Sequence, residues 1–336
     1  MDMKKWLQEM LEAPTKKAMP ILSFPSASLL GMSVAELLSS AENQAAGIAA
    51  VAAHTNAAAA VSMMDLSIEA EAFGSTIKAS DHEVPTIVGH IVETEEDADA
   101  LVIPEVGAAR TGRGVEAVKL ACEKITDRPV FAGVIGPFSL AARLIDVTEV
   151  MVDCYDEPDM VHTVLDKVST FLINYINAYK AVGANGVMMA EPLAGVLSPM
   201  LVEEFSSEYV RRIADATKSD DFLFIYHNCG DNIHLMTESI LGTGCDAFHF
   251  GDAVPVKTML EKFPSDVVVM GNVSPSVQFL GGTPESMREE TLRIMNECCA
   301  AHPNFVISSG CDIPPLSPWA NLDAFFKAAG DFYRAK

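Results

Sequence analysis

The sequence predicts a single α/β domain closed as a (β/α)8 barrel with an N-terminal helical extension, and three observations predict it. Short apolar runs bounded by Gly, Pro, Asn or Asp recur along the chain, each followed by a longer stretch of helical period, which is the signature of βα units around a parallel sheet. Eight such runs can be counted. No Pro/Ser-rich linker, low-complexity tract or shift in composition divides the 336 residues, a length that single barrels reach.

The eight expected strands are residues 19–24, 57–63, 130–135, 186–190, 222–227, 247–250, 267–270 and 305–308. Helical period marks residues 34–53, 157–182, 199–217, 233–241 and 284–302 between them. A further helix, residues 4–12, is expected to pack outside the barrel. The connection from the second strand to the third, residues 64–128, is too long for a plain crossover. With its apolar segments 86–92 and 100–103 it is expected to form a loop or small hairpin over the barrel mouth, where lids and active-site loops sit.

Hydrophobic residues make up 49% and charged residues 21%, enough material for a buried core and too apolar a mixture for disorder. The formal charge of −23 repels phosphate backbones and anionic lipid headgroups, so nucleic-acid and membrane partners are not expected. The apolar stretch 45–64 is broken by His54, Thr55 and Asn56, short of the ~20 residues of a membrane span. The start, MDMKKWLQEM, lacks the apolar run of a secretory signal, so a cytoplasmic protein is expected. The odd set of seven cysteines does not resemble a disulfide framework.

Chemistry concentrates at two strand ends. In FLFIYHNCGD, residues 222–231, an apolar strand ends in His227-x-Cys229 before a glycine. Side chains two apart on a strand share a face, so His227 and Cys229 project together, toward the cavity if the strand belongs to a barrel. In FVISSGCDIPP, residues 305–315, the last strand places Cys311 on the loop above the same mouth. An imidazole and two soft thiolates suit zinc, and three protein ligands with an exchangeable fourth position describe a catalytic rather than a structural zinc site. On these residues alone the alternative stays open: two core thiols and a hydrogen-bonded histidine.

Further segments carry a resemblance. HNCGD at 227–231, GNVSP at 271–275, GTPESMREE at 282–290 and SSGCDIPPLSPWANLDA at 308–324 are similar to the uroporphyrinogen decarboxylase superfamily. So are DLSIEAEAFG at 65–74, GVIGPFSLAARL at 133–144 and AEPLAGVLSPMLVEEF at 190–205. Within it the His-x-Cys and distant Cys resemble the methylcobamide:coenzyme M methyltransferase branch, not the porphyrin decarboxylases. The resemblance implies a (β/α)8 barrel, Zn2+ on His227, Cys229 and Cys311 as the catalytic set, and methyl transfer from a methylated corrinoid to a small thiol, coenzyme M. Zinc would lower the thiol pKa and present the thiolate, the nucleophilic form. No segment resembles a corrinoid-carrying domain, so the corrinoid is expected on a separate, transient partner protein.

Two alternatives of the same superfamily are a substrate-side methyltransferase, demethylating a methoxy compound, methylamine or methyl halide, and a porphyrinogen decarboxylase. The latter is disfavoured because the segment PTKKAMP at 14–20 is not an arginine-rich porphyrin-binding stretch. A non-catalytic barrel is disfavoured by the intact ligand set. Relatives with zinc and thiol chemistry imply an acidic ligand after the sixth strand, where this chain has Gly251; Asp252, or Glu191 after the fourth strand, is the candidate replacement. Asp65, Glu69 and Glu71 form an acidic cluster on the long connection, and Asp65 and Glu71 are candidates for the corrinoid, as is Asn272 for a ligand at the seventh strand end. The turn Gly136-Pro137-Phe138 opens a helix and could hold an anion such as a sulfonate on its N–H groups, with Arg143 assisting.

Overall fold

The structure, a computed structural model, describes residues 1–334. Among the described residues nine strands form: β1 (Ala60–Val61), β2 (Thr76–Lys78), β3 (Thr86–Val88), β4 (Val130–Ile135), β5 (Gly186–Ala190), β6 (Leu223–Asn228), β7 (Ala247–Phe250), β8 (Val268–Val273) and β9 (Phe305–Ser309). Seven make one parallel sheet in the order β1-β4-β5-β6-β7-β8-β9, so consecutive strands are neighbours, as barrel winding requires. Helices follow the strands, among them Pro158–Ala181 after β4, Glu208–Thr217 after β5 and Pro284–Cys298 after β8.

The eighth stave is residues 18–22. Its backbone bonds to both edges of the sheet: Met19 N donates to Ile307 O at 3.0 Å, and Ala58 N to Ala18 O at 2.8 Å. Pro20 has no N–H to give, and Ile21 N turns to the Ser309 hydroxyl at 3.0 Å instead of a carbonyl. A proline cannot extend a ladder, so the expected first strand becomes a seam of isolated bonds that still closes the barrel. The expected second strand is likewise short, two residues instead of seven, while the remaining expected strands fall within three residues of those formed.

The helix Met3–Glu12 corrects one expectation. Its buried Met3, Trp6 and Met10 pack with the inward-facing Phe131, Met188 and Ile225 of the strands, Trp6 lying 5.4 Å from the Phe131 ring. It plugs the bottom of the barrel instead of lying outside it. The apolar period of the helix explains why: three large side chains on one face need a deeper partner than a barrel flank already covered by helices.

The long connection holds the expected hairpin: β2 and β3 pair antiparallel, Ile77 opposite Ile87. The other apolar segment, 100–103, forms no strand and follows the helix Glu95–Ala100. Hairpin residues Val84 to Ile87 line a cavity of ≈ 490 Å3 with Met64 and Leu66 after β1, Arg143 after β4 and Leu193 after β5. Among the described residues no helix is long and apolar enough to cross a membrane.

Candidate metal centre

Parallel register sets the site. His227 on β6 pairs with His249 on β7, and Asn272 on β8 with Ser308 on β9. Inward positions recur every second residue, so below the site the barrel is filled by Ile225, Ala247, Met270 and Val306, and the next inward positions up are His227, His249 and Ser308. All three are fully buried. Cys229 follows two residues above His227 and Cys311 rises from the loop after β9. The ligand atoms of His227, Cys229 and Cys311 all lie within 4.8 Å of one another, with His227 Nε2 3.4 Å from Cys311 Sγ. The convergence expected from the two motifs is present.

The electrostatics suit a cation. The two thiols share a hydrogen bond, which holds Cys229 below its ordinary value while that bond, together with burial, pushes Cys311 up to about 12. The shared bond thus favours the thiolate on Cys229 over that on Cys311. Behind them His249 is held well below its ordinary value, first by burial and then by the charge of His227 beside it, so its ring is neutral. A buried imidazole and two sulfurs pointed at a common centre, with no cationic side chain in the set, fit a soft divalent ion such as zinc.

The other expected residues fall elsewhere, and each for a visible reason. Glu191 is not at the metal centre. Its carboxylate accepts from Phe138 N at 2.8 Å, Ser139 N at 2.9 Å and the Ser206 hydroxyl at 3.0 Å, capping the N-terminus of the helix Pro137–Ile145. That corrects two expectations together: Glu191 is spent as a metal ligand, and the anion site expected at Gly136–Phe138 is filled by the chain's own carboxylate, where the helix dipole favours it. Asp252 is exposed at the rim, its charge felt by Cys229, but it lies outside the converging set. Gly251 could carry no side chain at all, because a Cβ there would stand 2.5 Å from the Cys229 Cα.

Asp65 and Glu71 are held by Arg110. Its guanidinium pairs with the buried Asp65 and, through Nε at 2.5 Å, with Glu71, while Nη2 donates to the Ser67 hydroxyl at 2.9 Å. Asp65 also accepts from Ser67 N and Oγ at 3.1 and 2.6 Å. Their expected contact with a corrinoid finds no support in this geometry, which uses them to fasten the start of the long connection. Asn272 donates to Gly251 O at 2.9 Å and Val254 O at 2.6 Å, so its amide holds the loop after β7. Sequence reasoning missed Arg110, His249 and Ser308. The last two had a signal, since a polar residue at an inward position of an apolar strand needs a partner; Arg110 had none, its partners being about forty residues away in sequence.

Fold and site together define a parallel α/β barrel with a cluster of one imidazole and two sulfurs at its mouth that could hold a metal ion. The sequence profile of the uroporphyrinogen decarboxylase (URO-D) family matches residues 13–332, and the chain belongs to that family. It is 28% identical over 273 residues to the methylcobamide:CoM methyltransferase MtbA of Methanosarcina acetivorans, covering 80% of this chain and 78% of that one. It is 27% identical over 251 residues to the uroporphyrinogen decarboxylase of Alcanivorax borkumensis, covering 71% and 69%. A solved methyltransferase from Methanosarcina mazei superposes with a TM-score of 0.86 over 99% of both chains at 22% identity, which carries the fold.

Proposed function

We propose that this chain is a zinc-dependent methyltransferase that moves a methyl group from a methylated corrinoid, carried by a separate protein, to a small thiol, coenzyme M. The observation that carries the reading is the convergence of His227, Cys229 and Cys311 within 4.8 Å at the barrel mouth. The similarity to methylcobamide:CoM methyltransferases supports the choice of donor and acceptor.

Zinc held on His227 Nε2 and the two sulfurs would lower the pKa of the acceptor thiol and leave one position for its sulfur. Cys229 and Cys311 would both bind it as thiolates and match the charge of a divalent ion, so an incoming thiolate would keep much of its negative charge and its nucleophilicity. When bound, the methylated corrinoid would supply the methyl group to the acceptor sulfur and keep the electron pair of the broken bond, the thiol proton having gone to solvent beforehand. His227, His249 and Ser308, all buried, close the site from below.

Coenzyme M is a thiol with a sulfonate at its other end, and Arg143 is a cation of the mouth cavity that makes no ion pair among the described residues. Our reading gives Arg143 the anionic end of the acceptor.

The test is elemental analysis of wild type and Cys311→Ser, followed by coenzyme M-dependent demethylation of methylcobalamin. About one zinc per chain, lost with Cys311 along with the activity, is the expected result. Metal-free wild type would remove the zinc mechanism and return the decarboxylase reading of the same family, while zinc without thiol methylation would favour the substrate-side reaction.

A further inference from the structure

Beneath the metal centre a single file of hydrogen bonds runs down through the barrel interior. His227 Nδ1 lies 2.8 Å from His249 Nδ1, His249 Nε2 lies 2.7 Å from the Ser308 hydroxyl, and that hydroxyl lies 2.7 Å from Met19 O. The last group is a backbone carbonyl, which can only accept. We propose that this carbonyl, through Ser308 and His249, fixes the tautomer of His227 so that Nε2 is left bare for the metal, making His249 and Ser308 positioning residues of the centre.

The direction propagates by elimination. Ser308 has one hydroxyl proton, and it goes to Met19 O, so toward His249 the oxygen must accept and His249 Nε2 must carry hydrogen. Only one proton fits between the two Nδ1 atoms. Were it on His249, that ring would carry two N–H groups and be a cation, wholly buried and with no carboxylate bonded to it. The His227 Nδ1 lone pair would then also face the His249 carbonyl oxygen, 3.3 Å away. With the proton on His227, Nδ1 donates to both acceptors and every member of the file is satisfied. His227 Nε2 is then unprotonated where it meets Cys311 Sγ at 3.4 Å.

The file also ties the centre to the seam of the barrel. Met19 belongs to the stave that closes the sheet with few bonds, Met19 N donating to Ile307 O on β9. The acceptor at the end of the file is therefore held by the N-terminal segment, not by the strands that carry the ligands. A supporting partner on the far nitrogen of a metal-bound histidine commonly changes metal affinity by ~10–100-fold, and here that partner is a second histidine with its own support.

The inference rests on the metal reading, and its test separates the two. Long-range 1H–15N NMR of the metal-free, histidine-labelled chain reads the tautomers directly, His227 and His249 being assigned by loss of their signals in His227→Gln and His249→Gln. We expect His227 protonated on Nδ1 and His249 on Nε2; His227 protonated on Nε2 would overturn the proposal whether or not zinc binds. Chelator competition for zinc then compares wild type with two variants of similar size. Gln at 249 can accept from His227 and donate to Ser308, and should bind zinc within a few-fold of wild type; His249→Met can do neither and should bind ~10–100-fold more weakly. Equal affinity of the Gln and Met variants would also overturn it. Wild type without zinc would remove the proposed function, and the tautomer assignment would still decide the file.

Discussion

Gly251 stands against Cys229 so closely that a Cβ on it would lie 2.5 Å from the Cys229 Cα. The residue after β7 is thus glycine because the backbone carrying a metal ligand occupies the space a side chain would need. Gly251→Ala should push Cys229 out of line with His227 and Cys311 and destabilise the fold by about 1–3 kcal/mol, the usual range for overpacking. Zinc content and the urea midpoint measure this; an alanine variant with wild-type values of both would mean that the β6 end yields freely.

Much of the barrel was legible because its strands are short, apolar and punctuated. Residues 130–135, 186–190 and 247–250 carry the same bounds in sequence and structure, since each is buried on both faces and bounded by a turn. The first stave was visible as an apolar run, but Pro20 turns it into a seam that no propensity describes. At the site, the period of two identified His227 and Cys229, and the strand-end rule found Cys311. What stayed hidden was partner choice. Nothing in the one-dimensional pattern says that Glu191 faces a helix N-terminus across the mouth, or that Asp65 and Glu71 await Arg110, because these pairings are set by how loops from different staves cross.

Glu191 gives a test that separates a cap from a ligand. Glu191→Ala strips the N–H groups of Phe138 and Ser139 of their acceptor, and unsatisfied buried donors cost about 1–3 kcal/mol. The variant should melt earlier yet still hold one zinc per chain. Loss of zinc without loss of stability would show the carboxylate serving the metal.

Arg110 neutralises a buried carboxylate. Arg110→Met leaves Asp65 charged in the interior with only Ser67 as partner, and breaking a buried pair from one side typically costs about 3–5 kcal/mol. Replacing Arg110 and Asp65 together, Arg110→Met with Asp65→Asn, should recover much of that loss. Denaturant titration of wild type, the two single variants and the double variant decides it; a double variant as unstable as the sum of its parts would mean the two residues act independently.

Arg143 sets acceptor choice if the proposed function holds. Arg143→Met should raise KM for coenzyme M ~10-fold or more, about the 1.4 kcal/mol that a charge-assisted contact supplies, and leave a neutral thiol such as 2-mercaptoethanol unaffected. A KM that rises equally for both thiols would assign the guanidinium to the shape of the cavity instead.

Glu69 makes stability depend on pH in a direction opposite to an exposed carboxylate. It is fully buried, its Oε1 accepts from Ile135 N at 3.1 Å, and its Oε2 has no hydrogen-bond partner among the described residues. Burial pushes this carboxyl up from 4.5 to about 7, against the opposing pull of that N–H and of Arg143. The folded chain therefore holds the proton more tightly than the unfolded one. Its contribution is complete below about pH 4.5 and is lost as pH rises through 7. A shift of that size corresponds to about 3 kcal/mol. Glu69→Gln carries no proton to lose, so its stability relative to wild type should climb between pH 5 and pH 8 by about that amount. Urea unfolding of both proteins across this range measures the difference, and a constant gap from pH 5 to pH 8 would show that Glu69 is ionised in the folded chain throughout.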